Sequence, residues 1–154
     1  MNLPDAHRDA LAVICARLPL ATVDWALTGS AGHRLQGVDV PVRDIDVQTD
    51  ADGARAVGEA LAEYVVEAPR PRTSPLIRSV FGRFLVAGVE VELMGGMCHR
   101  RSPDAPWGPP VDPADHRRIV HYAGFDVPVL DLAYEADAYD LMGRHERAAL
   151  LRLA

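Results

Sequence analysis

The segment that most constrains the fold of this chain runs from Leu27 to Asp50 and reads LTGSAGHRLQGVDVPVRDIDVQTD. Its pattern predicts a buried strand, a Gly-Ser turn, a short helix and a second strand. Because alternate side chains of a strand share a face, Asp44 and Asp46 should point to one side, whereas Ile45 and Val47 should point into the core. Two carboxylates this close repel each other unless a cation neutralises them.

Taken alone, the pattern of the carboxylate pair allows two interpretations. Carboxylate oxygens suit Mg²⁺, a hard cation, and a solvent-exposed strand face is the alternative. The preceding turn favours a ligand site, because Gly29 lets the backbone approach a bound group closely and Ser30 adds a hydroxyl donor. A helix that follows such a turn also directs free N–H groups at an anion. Together, the turn and the pair predict phosphate binding beside a metal ion.

A second acidic pattern lies in the segment GVEVELMG, where Glu90 and Glu92 alternate with apolar residues. A strand would place both acids on one face and the apolar side chains on the other. Phosphoryl-type transfer commonly uses two metal ions held by carboxylates, and a further carboxylate can accept the proton of an acceptor hydroxyl. The wet face of a hairpin is the alternative interpretation of this pair.

Periodicity and turn signals divide the rest of the chain into helices and strands. Helices are predicted over residues 5–18, about 50–64, 131–142 and 144–153, and strands over 24–28, 44–49, 79–86, 89–94, 118–122 and 125–129. The Pro- and Arg-rich segment 67–78 and the Gly- and Pro-rich segment 95–115 are predicted as loops. This mixture indicates an α/β (α+β) fold with helices packed on a mixed β-sheet. We expect a single domain over residues 1–154, with C-terminal helices from about residue 131, and a helical core that includes Leu11, Val57, Leu61, Leu132, Leu141 and Leu150.

Charge and composition narrow the function. All 16 basic residues are Arg, so lysine-dependent chemistries are excluded and any side-chain cation that holds a phosphate is an arginine. The net charge of −6 argues against a general nucleic-acid binder and suits a small cationic acceptor. No apolar run reaches the roughly 20 residues of a membrane span. With only two cysteines, we expect a reduced cytoplasmic protein whose partners include neither a membrane nor a long nucleic acid.

The segment from Leu27 to Asp50, together with VEVELMG, resembles the nucleotidyltransferase superfamily typified by DNA polymerase beta. The resemblance implies a polymerase-beta-like nucleotidyltransferase fold in which Gly29 and Ser30 bind phosphates. It also implies that Asp44, Asp46 and an acid on a later strand are catalytic ligands of Mg²⁺, in a site for two ions. The superfamily context of apolar, acid, apolar, apolar favours Glu92 as the third acid, with Glu90 in reserve.

The resemblance also implies a reaction. Relatives of this short, stand-alone kind, either minimal or antibiotic-modifying, transfer a nucleoside monophosphate from an NTP to a hydroxyl and release pyrophosphate. We expect ATP as the NTP and a small molecule or a protein as the acceptor, and an oligomer or a partner protein stays open. A non-catalytic, nucleotide-binding or antitoxin-type partner of the same fold is the first alternative, and a metal-dependent phosphohydrolase is the second.

Several other residues have a functional and a structural interpretation. The triphosphate could be bound by an arginine, with Arg70, Arg72, Arg78 and Arg83 as the candidates and a solvated surface charge as the alternative for each. Arg43 should point to the face opposite Asp44, so an edge or surface position is favoured for it. His33 could touch a phosphate, although a surface position is favoured. Trp107 could line an acceptor pocket or anchor its long loop. A zinc site is disfavoured by the irregular spacing of Cys98, His99, His116 and His121.

Overall fold

The computed structural model describes residues 2–154. The helices of this part of the chain are α1 (Asp5–Arg17), α2 (Gly29–Leu35), α3 (Gly53–Ala60), α4 (Leu132–Leu141) and α5 (His145–Arg152). The strands are β1 (Trp25–Thr28), β2 (Ile45–Thr49), β3 (Val65–Thr73), β4 (Ile77–Val86), β5 (Val89–His99), β6 (Arg117–Tyr122) and β7 (Phe125–Leu130). Two short 3₁₀ turns lie at Ala62–Tyr64 and Pro113–Asp115.

The seven strands form one sheet in the order β3-β4-β5-β2-β1-β7-β6. Strands β2 and β5 are parallel, as are β1 and β7, and the other neighbours are antiparallel. The predicted α+β fold with helices on a mixed sheet is therefore confirmed. Among the described residues, no helix is long and apolar enough to cross a membrane.

The main core lies on the sheet face that α1 and α3 cover. Ile45 and Val47 of β2 are fully buried there, against residues such as Ile14 of α1 and Val57 of α3. The opposite face of β2 carries Asp46, so the alternation of acid and apolar residues separates the core from the site, as the sequence pattern predicted.

The prediction of a loop over residues 67–78 is wrong, because β3 occupies most of this segment. Two prolines, Pro69 and Pro71, indicated a loop, but β3 is an edge strand that pairs only with β4. An edge strand tolerates prolines because one row of its N–H groups has no ladder partner. The register of β3 also shifts around Glu67, which accommodates the irregular backbone.

The predicted loop over residues 95–115 also begins too early, because β5 continues to His99. Gly95 and Gly96 indicated a break, but these glycines serve packing. A Cβ built on Gly95 would lie 2.7 Å from the Cβ of Ala54, so only glycine lets α3 pack this closely against β5. The strand therefore runs through the Gly-Gly pair.

The C-terminal helices lie where the sequence predicts them, but two of the leucines predicted to be in the core are not buried. Asp131 caps α4 by accepting hydrogen bonds from the backbone N–H groups of Ala133 and Tyr134, at 2.8 and 3.4 Å. Leu141 and Leu150, predicted as core, are 38% and 37% exposed. A small cluster packs α4 and α5 together instead and consists of Val38, Val40, Ala136, Ala148 and Leu151, with Leu132 partly buried against it.

Candidate active site

The candidate site follows one row across the sheet. In the strand register, Thr28 at the end of β1 pairs with Asp46 of β2, and Asp46 pairs with Glu92 of β5. The row continues from Glu92 to Arg83 of β4 and from Arg83 to Glu67 of β3. The Gly-Ser turn begins directly after Thr28. The Gly-Ser turn, Asp46 of the D-x-D motif and Glu92 are therefore neighbours across the sheet.

Four carboxylates gather at the middle of this row. Oxygens of Asp44, Glu90 and Glu92 lie within 4.8 Å of one another, and the carboxyl of Asp46 hydrogen-bonds that of Glu92. Within residues 2–154, Glu90 is the only member with an ion-pair partner, since Arg83 Nη1 lies 2.8 Å from its Oε1. The compact trio of Asp44, Glu90 and Glu92 differs from the predicted set of metal ligands, because it contains Glu90 in place of Asp46. Glu92 belongs to both sets.

The electrostatics of the cluster favour a bound cation. Burial, followed by the charges of Glu92 and Asp44, raises the pKa of Asp46 to about 8. Burial and the carboxylates of Asp44 and Glu90 also raise the pKa of Glu92, and the Arg72 guanidinium opposes that rise. A metal-free cluster therefore retains a proton at pH 7, which a divalent cation would displace. A set of half-buried, oxygen-only donors with little neutralisation from the protein fits Mg²⁺.

The Gly-Ser turn lies against the carboxylates. The sequence predicted that the turn comes before the helix. In the structure, α2 begins at Gly29 itself, so the Gly-Ser pair forms the first residues of the helix. Gly29 has a φ of +69°, and a Cβ built there would overlap Oδ2 of Asp46. The hydroxyl of Ser30 accepts a hydrogen bond of 3.0 Å from the backbone N–H of Arg43, which leaves its own proton available to a ligand. The Arg43 side chain is exposed.

Gly29→Ala should weaken binding of Mg²⁺–ATP by at least about tenfold, because the new methyl group displaces the Asp46 carboxylate. Gly88→Ala is the matched control: Gly88 has a φ of +78° in the β4–β5 turn, and no atom lies within 4 Å of the position that its new methyl group would take. Both variants should lose about 1 kcal/mol of stability through backbone strain. Calorimetric titration together with urea denaturation separates the two effects, and equal binding losses in both variants would contradict the role of Gly29.

A buried polar network lies directly behind the turn. The Glu135 carboxylate of α4 accepts a hydrogen bond from the Thr28 hydroxyl and contacts Nε2 of His33. His33 is completely buried and Glu135 is 4% exposed, so the prediction of a surface histidine is wrong. The amphipathic pattern of α2 is too short to show which face its histidine takes. The network ties α4 to the strand end that positions Gly29.

Glu135→Ala should lower the free energy of unfolding by about 3–5 kcal/mol, because it leaves His33 and the Thr28 hydroxyl buried without their partner. Asp137→Ala, on the same helix, is the control, since Asp137 is exposed and its pair with Arg152 contributes little. Urea denaturation monitored by circular dichroism measures both. A loss below about 1 kcal/mol in Glu135→Ala would show that the network is not structural.

A cavity of about 190 Å³ lies between the sheet and α4, beside the carboxylates. Asp46 and Glu92 border it on the sheet side and Gly29 borders it at the turn. The rest of its wall is largely apolar or aromatic and includes Met94, Met97, Tyr134, Tyr139 and Met142. An apolar cavity that opens onto a charged cluster has the character of a small-molecule site.

Three of the remaining candidates, Trp107, His116 and His121, have structural partners. Trp107 lies between two arginines, Arg100 at 4.0 Å and Arg78 at 5.0 Å from its ring centre, and it does not border the cavity beside the carboxylates. His116 stacks on the Tyr134 ring and His121 contacts Asp126. Trp107 is therefore placed as a loop anchor.

Comparison with known proteins identifies the family. The family model of the aminoglycoside-2''-adenylyltransferases matches residues 10–151 of the chain. The chain belongs to this family. As a member of the aminoglycoside-2''-adenylyltransferase family it is a nucleotidyltransferase, and the resemblance to the nucleotidyltransferase superfamily is confirmed.

A solved structure supports the same assignment. A candidate nucleotidyltransferase from Thermotoga maritima is 40% identical to this family member, with a TM-score of 0.85 over 99% of this chain and 93% of that chain. A protein from Helicobacter pylori is 13% identical, with a TM-score of 0.42 over 89% of this chain and 57% of that one. Curated proteins gave no match.

Proposed function

We propose that this nucleotidyltransferase moves a nucleoside monophosphate from an NTP, with ATP as the expected donor, to an acceptor hydroxyl and releases pyrophosphate in a Mg²⁺-dependent reaction. The observation that carries the proposal is the position of Asp46, which pairs with Glu92 in the strand register and lies against Gly29 at the turn. Within residues 2–154, no basic side chain forms an ion pair with Asp44, Asp46 or Glu92. Such a cluster is costly to fold unless it binds a cation.

The metal ligands in this proposal are Asp44, Asp46 and Glu92. Mg²⁺, when bound, would offset the charge of the phosphates and of the attacking oxygen. Glu92 is preferred to Glu90 as the third acid because Arg83 already neutralises Glu90. The Glu92 carboxylate could also accept the proton of the acceptor hydroxyl.

Gly29 and Ser30 would bind the β- and γ-phosphates of the donor. The absent side chain of Gly29 lets the phosphates approach the backbone, and the Ser30 hydroxyl donates to a phosphate oxygen. The cavity under α4 would hold the nucleoside, since its apolar wall suits a planar base. With donor and acceptor held in line, positioning and charge neutralisation account for most of the catalysis.

The acceptor is proposed as a small molecule or a protein, in a cytoplasmic setting. Both cysteines, Cys15 and Cys98, are free thiols, which suits a reducing compartment. The family is named for aminoglycoside acceptors, so an amino sugar is the first compound to test.

The test is incubation of the protein with isotopically labelled ATP, Mg²⁺ and an extract of small molecules and proteins, followed by mass spectrometry. We expect an acceptor that gains the mass of AMP, with stoichiometric pyrophosphate, and neither product with Asp46→Asn. Release of inorganic phosphate in place of pyrophosphate would point to a phosphohydrolase. Metal-dependent ATP binding with no product from any acceptor would favour the non-catalytic alternative.

A further inference from the structure

We propose that Gln48 recognises the base of the donor nucleotide, and that its side-chain amide selects a base with an amino group beside a ring nitrogen, as in adenine. The inference deepens the proposed function and rests on it. Gln48 lies on β2, two residues after Asp46, and lines the cavity under α4 that would hold the nucleoside.

The amide of Gln48 is buried without a hydrogen-bond partner. The residue is 2% exposed, and its Nε2 atom has no partner within residues 2–154. A buried amide N–H without an acceptor destabilises a folded protein, so such groups are rare. Of the residues in this part of the chain that carry an unpartnered buried polar atom, Gln48 is the one that lines the cavity. A ligand in the cavity can satisfy it.

The course of β2 sets the direction in which the donor lies. The Ser30 hydroxyl accepts a hydrogen bond from the backbone N–H of Arg43, which comes before Asp46 in the chain. Gln48 comes after Asp46 on the same strand. The Gly-Ser turn and Gln48 are therefore on opposite sides of Asp46. With the terminal phosphates at the turn, the nucleoside end of the donor points toward Gln48.

The spacing along the strand matches one sugar. Asp46 and Gln48 share a face of β2, and residues two apart on a strand are roughly 6.5–7 Å from each other along its axis. In a nucleotide, the ribose separates the α-phosphorus from the base. With the α-phosphate at Asp46, the base comes level with Gln48.

The surroundings of Gln48 suit the two faces of a planar base. Met94 is the register partner of Gln48 on β5 and borders the same cavity. Tyr134 and Tyr139 of α4 line the cavity from the helix side. Thioether and aromatic side chains pack well against the faces of a ring. The polar edge of the base still requires a hydrogen-bonding group.

Most other polar side chains of the cavity already have partners. Thr28 and Glu135 hydrogen-bond to each other, and Arg144 lies over the Tyr139 ring, 4.7 Å from its centre. The carboxylates of the cluster are the proposed metal ligands. The amide of Gln48 is therefore the buried group that is available to the edge of the base.

The chemistry of the amide determines which base edge fits. Whichever way it is turned, a glutamine amide presents an N–H donor beside a carbonyl acceptor. Adenine presents the complementary pair, an amino group beside a ring nitrogen. A purine without the 6-amino group would leave the Gln48 carbonyl buried without a donor. Gln48 should therefore favour ATP over a triphosphate of such a purine.

The test is calorimetric titration with Mg²⁺–ATP and with Mg²⁺–purine riboside triphosphate, which is ATP without its 6-amino group. Both are titrated, in the absence of an acceptor, into wild type, Gln48→Met and Gln36→Met. Methionine keeps the length of the side chain and removes the amide. Gln36 is the matched control because its Nε2 donates a hydrogen bond of 2.8 Å to the Leu130 carbonyl and the residue does not line the cavity.

Wild type and Gln36→Met should bind ATP at least about fivefold more tightly than the analogue, whereas Gln48→Met should bind the two within about twofold. Urea denaturation of the free proteins is an independent readout. The midpoint of Gln48→Met should equal or exceed that of wild type, because the unpartnered amide is gone. The midpoint of Gln36→Met should be lower, because a satisfied hydrogen bond is lost.

Three outcomes would overturn the inference while the proposed function stands. They are equal binding of ATP and the analogue in wild type, an unchanged preference for ATP in Gln48→Met, and a lower urea midpoint in Gln48→Met, which would indicate a structural role. Failure of wild type to bind either triphosphate would overturn the proposed function, and this inference with it.

Discussion

Asp46→Asn should reduce nucleotide transfer by at least about 1,000-fold and, in the absence of metal, should make the protein more stable at pH 8. The loss of activity follows from the central position of Asp46 between Gly29 and Glu92. Removing its charge removes a ligand from a site that contributes several kcal/mol to transition-state stabilisation, and each 1.36 kcal/mol is a factor of ten in rate.

The gain in stability follows from the pKa of Asp46. Burial and the neighbouring carboxylates raise this pKa from 3.8 to about 8, so the folded state binds the proton more tightly than the unfolded state. The stabilisation from that proton is complete below about pH 4 and is lost as the pH rises through about 8. Asparagine carries no proton to lose, so the variant should retain about 1–3 kcal/mol that the metal-free wild type loses.

Urea denaturation at pH 5 and pH 8.5, with a chelator, measures this difference. Wild type should lose stability between the two pH values, and Asp46→Asn should lose less. Added Mg²⁺ should restore the stability of wild type at pH 8.5 and leave the variant nearly unchanged. Parallel losses in both proteins, or an equal response to Mg²⁺, would show that Asp46 is not the protonated group of the cluster.

Glu92→Gln should lower kcat by about 100- to 10,000-fold while it changes the affinity for Mg²⁺–ATP by less than about tenfold. Glu92 pairs with Asp46 in the strand register and has no basic partner within the described residues, so its charge is available to metal and acceptor. Glutamine keeps the shape of the side chain but neither offsets a cation nor accepts a proton. The donor can still bind through the other carboxylates.

Glu90→Gln is the matched control, two residues away on the same face of β5. Because Arg83 already neutralises Glu90, the loss of its charge should lower kcat by less than about tenfold. Steady-state assays of pyrophosphate release, with calorimetry for binding, measure both variants. If Glu90→Gln is the more damaging change, the compact trio of Asp44, Glu90 and Glu92 describes the metal site better than the proposed set.

The parts of the site that lie close together in sequence could be predicted, because strand periodicity alone determines them. Strand periodicity puts Asp46 of β2 on the face opposite Ile45 and Val47, and Glu90 and Glu92 follow the same rule on β5. Asp44 lies in a bend just before β2, so the strand rule does not place its side chain. Which strands are neighbours is a tertiary property, and here the superfamily resemblance supplied what periodicity could not.

The rest depends on contacts that local patterns do not encode. His33 and Glu135 are 102 residues apart, so their burial against each other has no signature in either segment. Pro69 and Pro71 favoured the prediction of a loop where the structure has an edge strand. The position of Arg72 over the Phe81 ring could therefore not be predicted either. The neutralisation of Arg83 by Glu67 and Glu90 also depends on pairings across strands.

The most direct test of the central claim is a crystal structure of the protein with Mn²⁺ and α,β-methylene-ATP, recorded with anomalous scattering. Mn²⁺ occupies oxygen-ligand sites of the Mg²⁺ type and its position is visible independently of the protein. We predict an anomalous peak ligated by Asp44 and Asp46, with Glu92 completing the metal site and the terminal phosphates at Gly29 and Ser30. A peak away from these carboxylates, or an ATP analogue bound away from the Gly-Ser turn, would contradict the account.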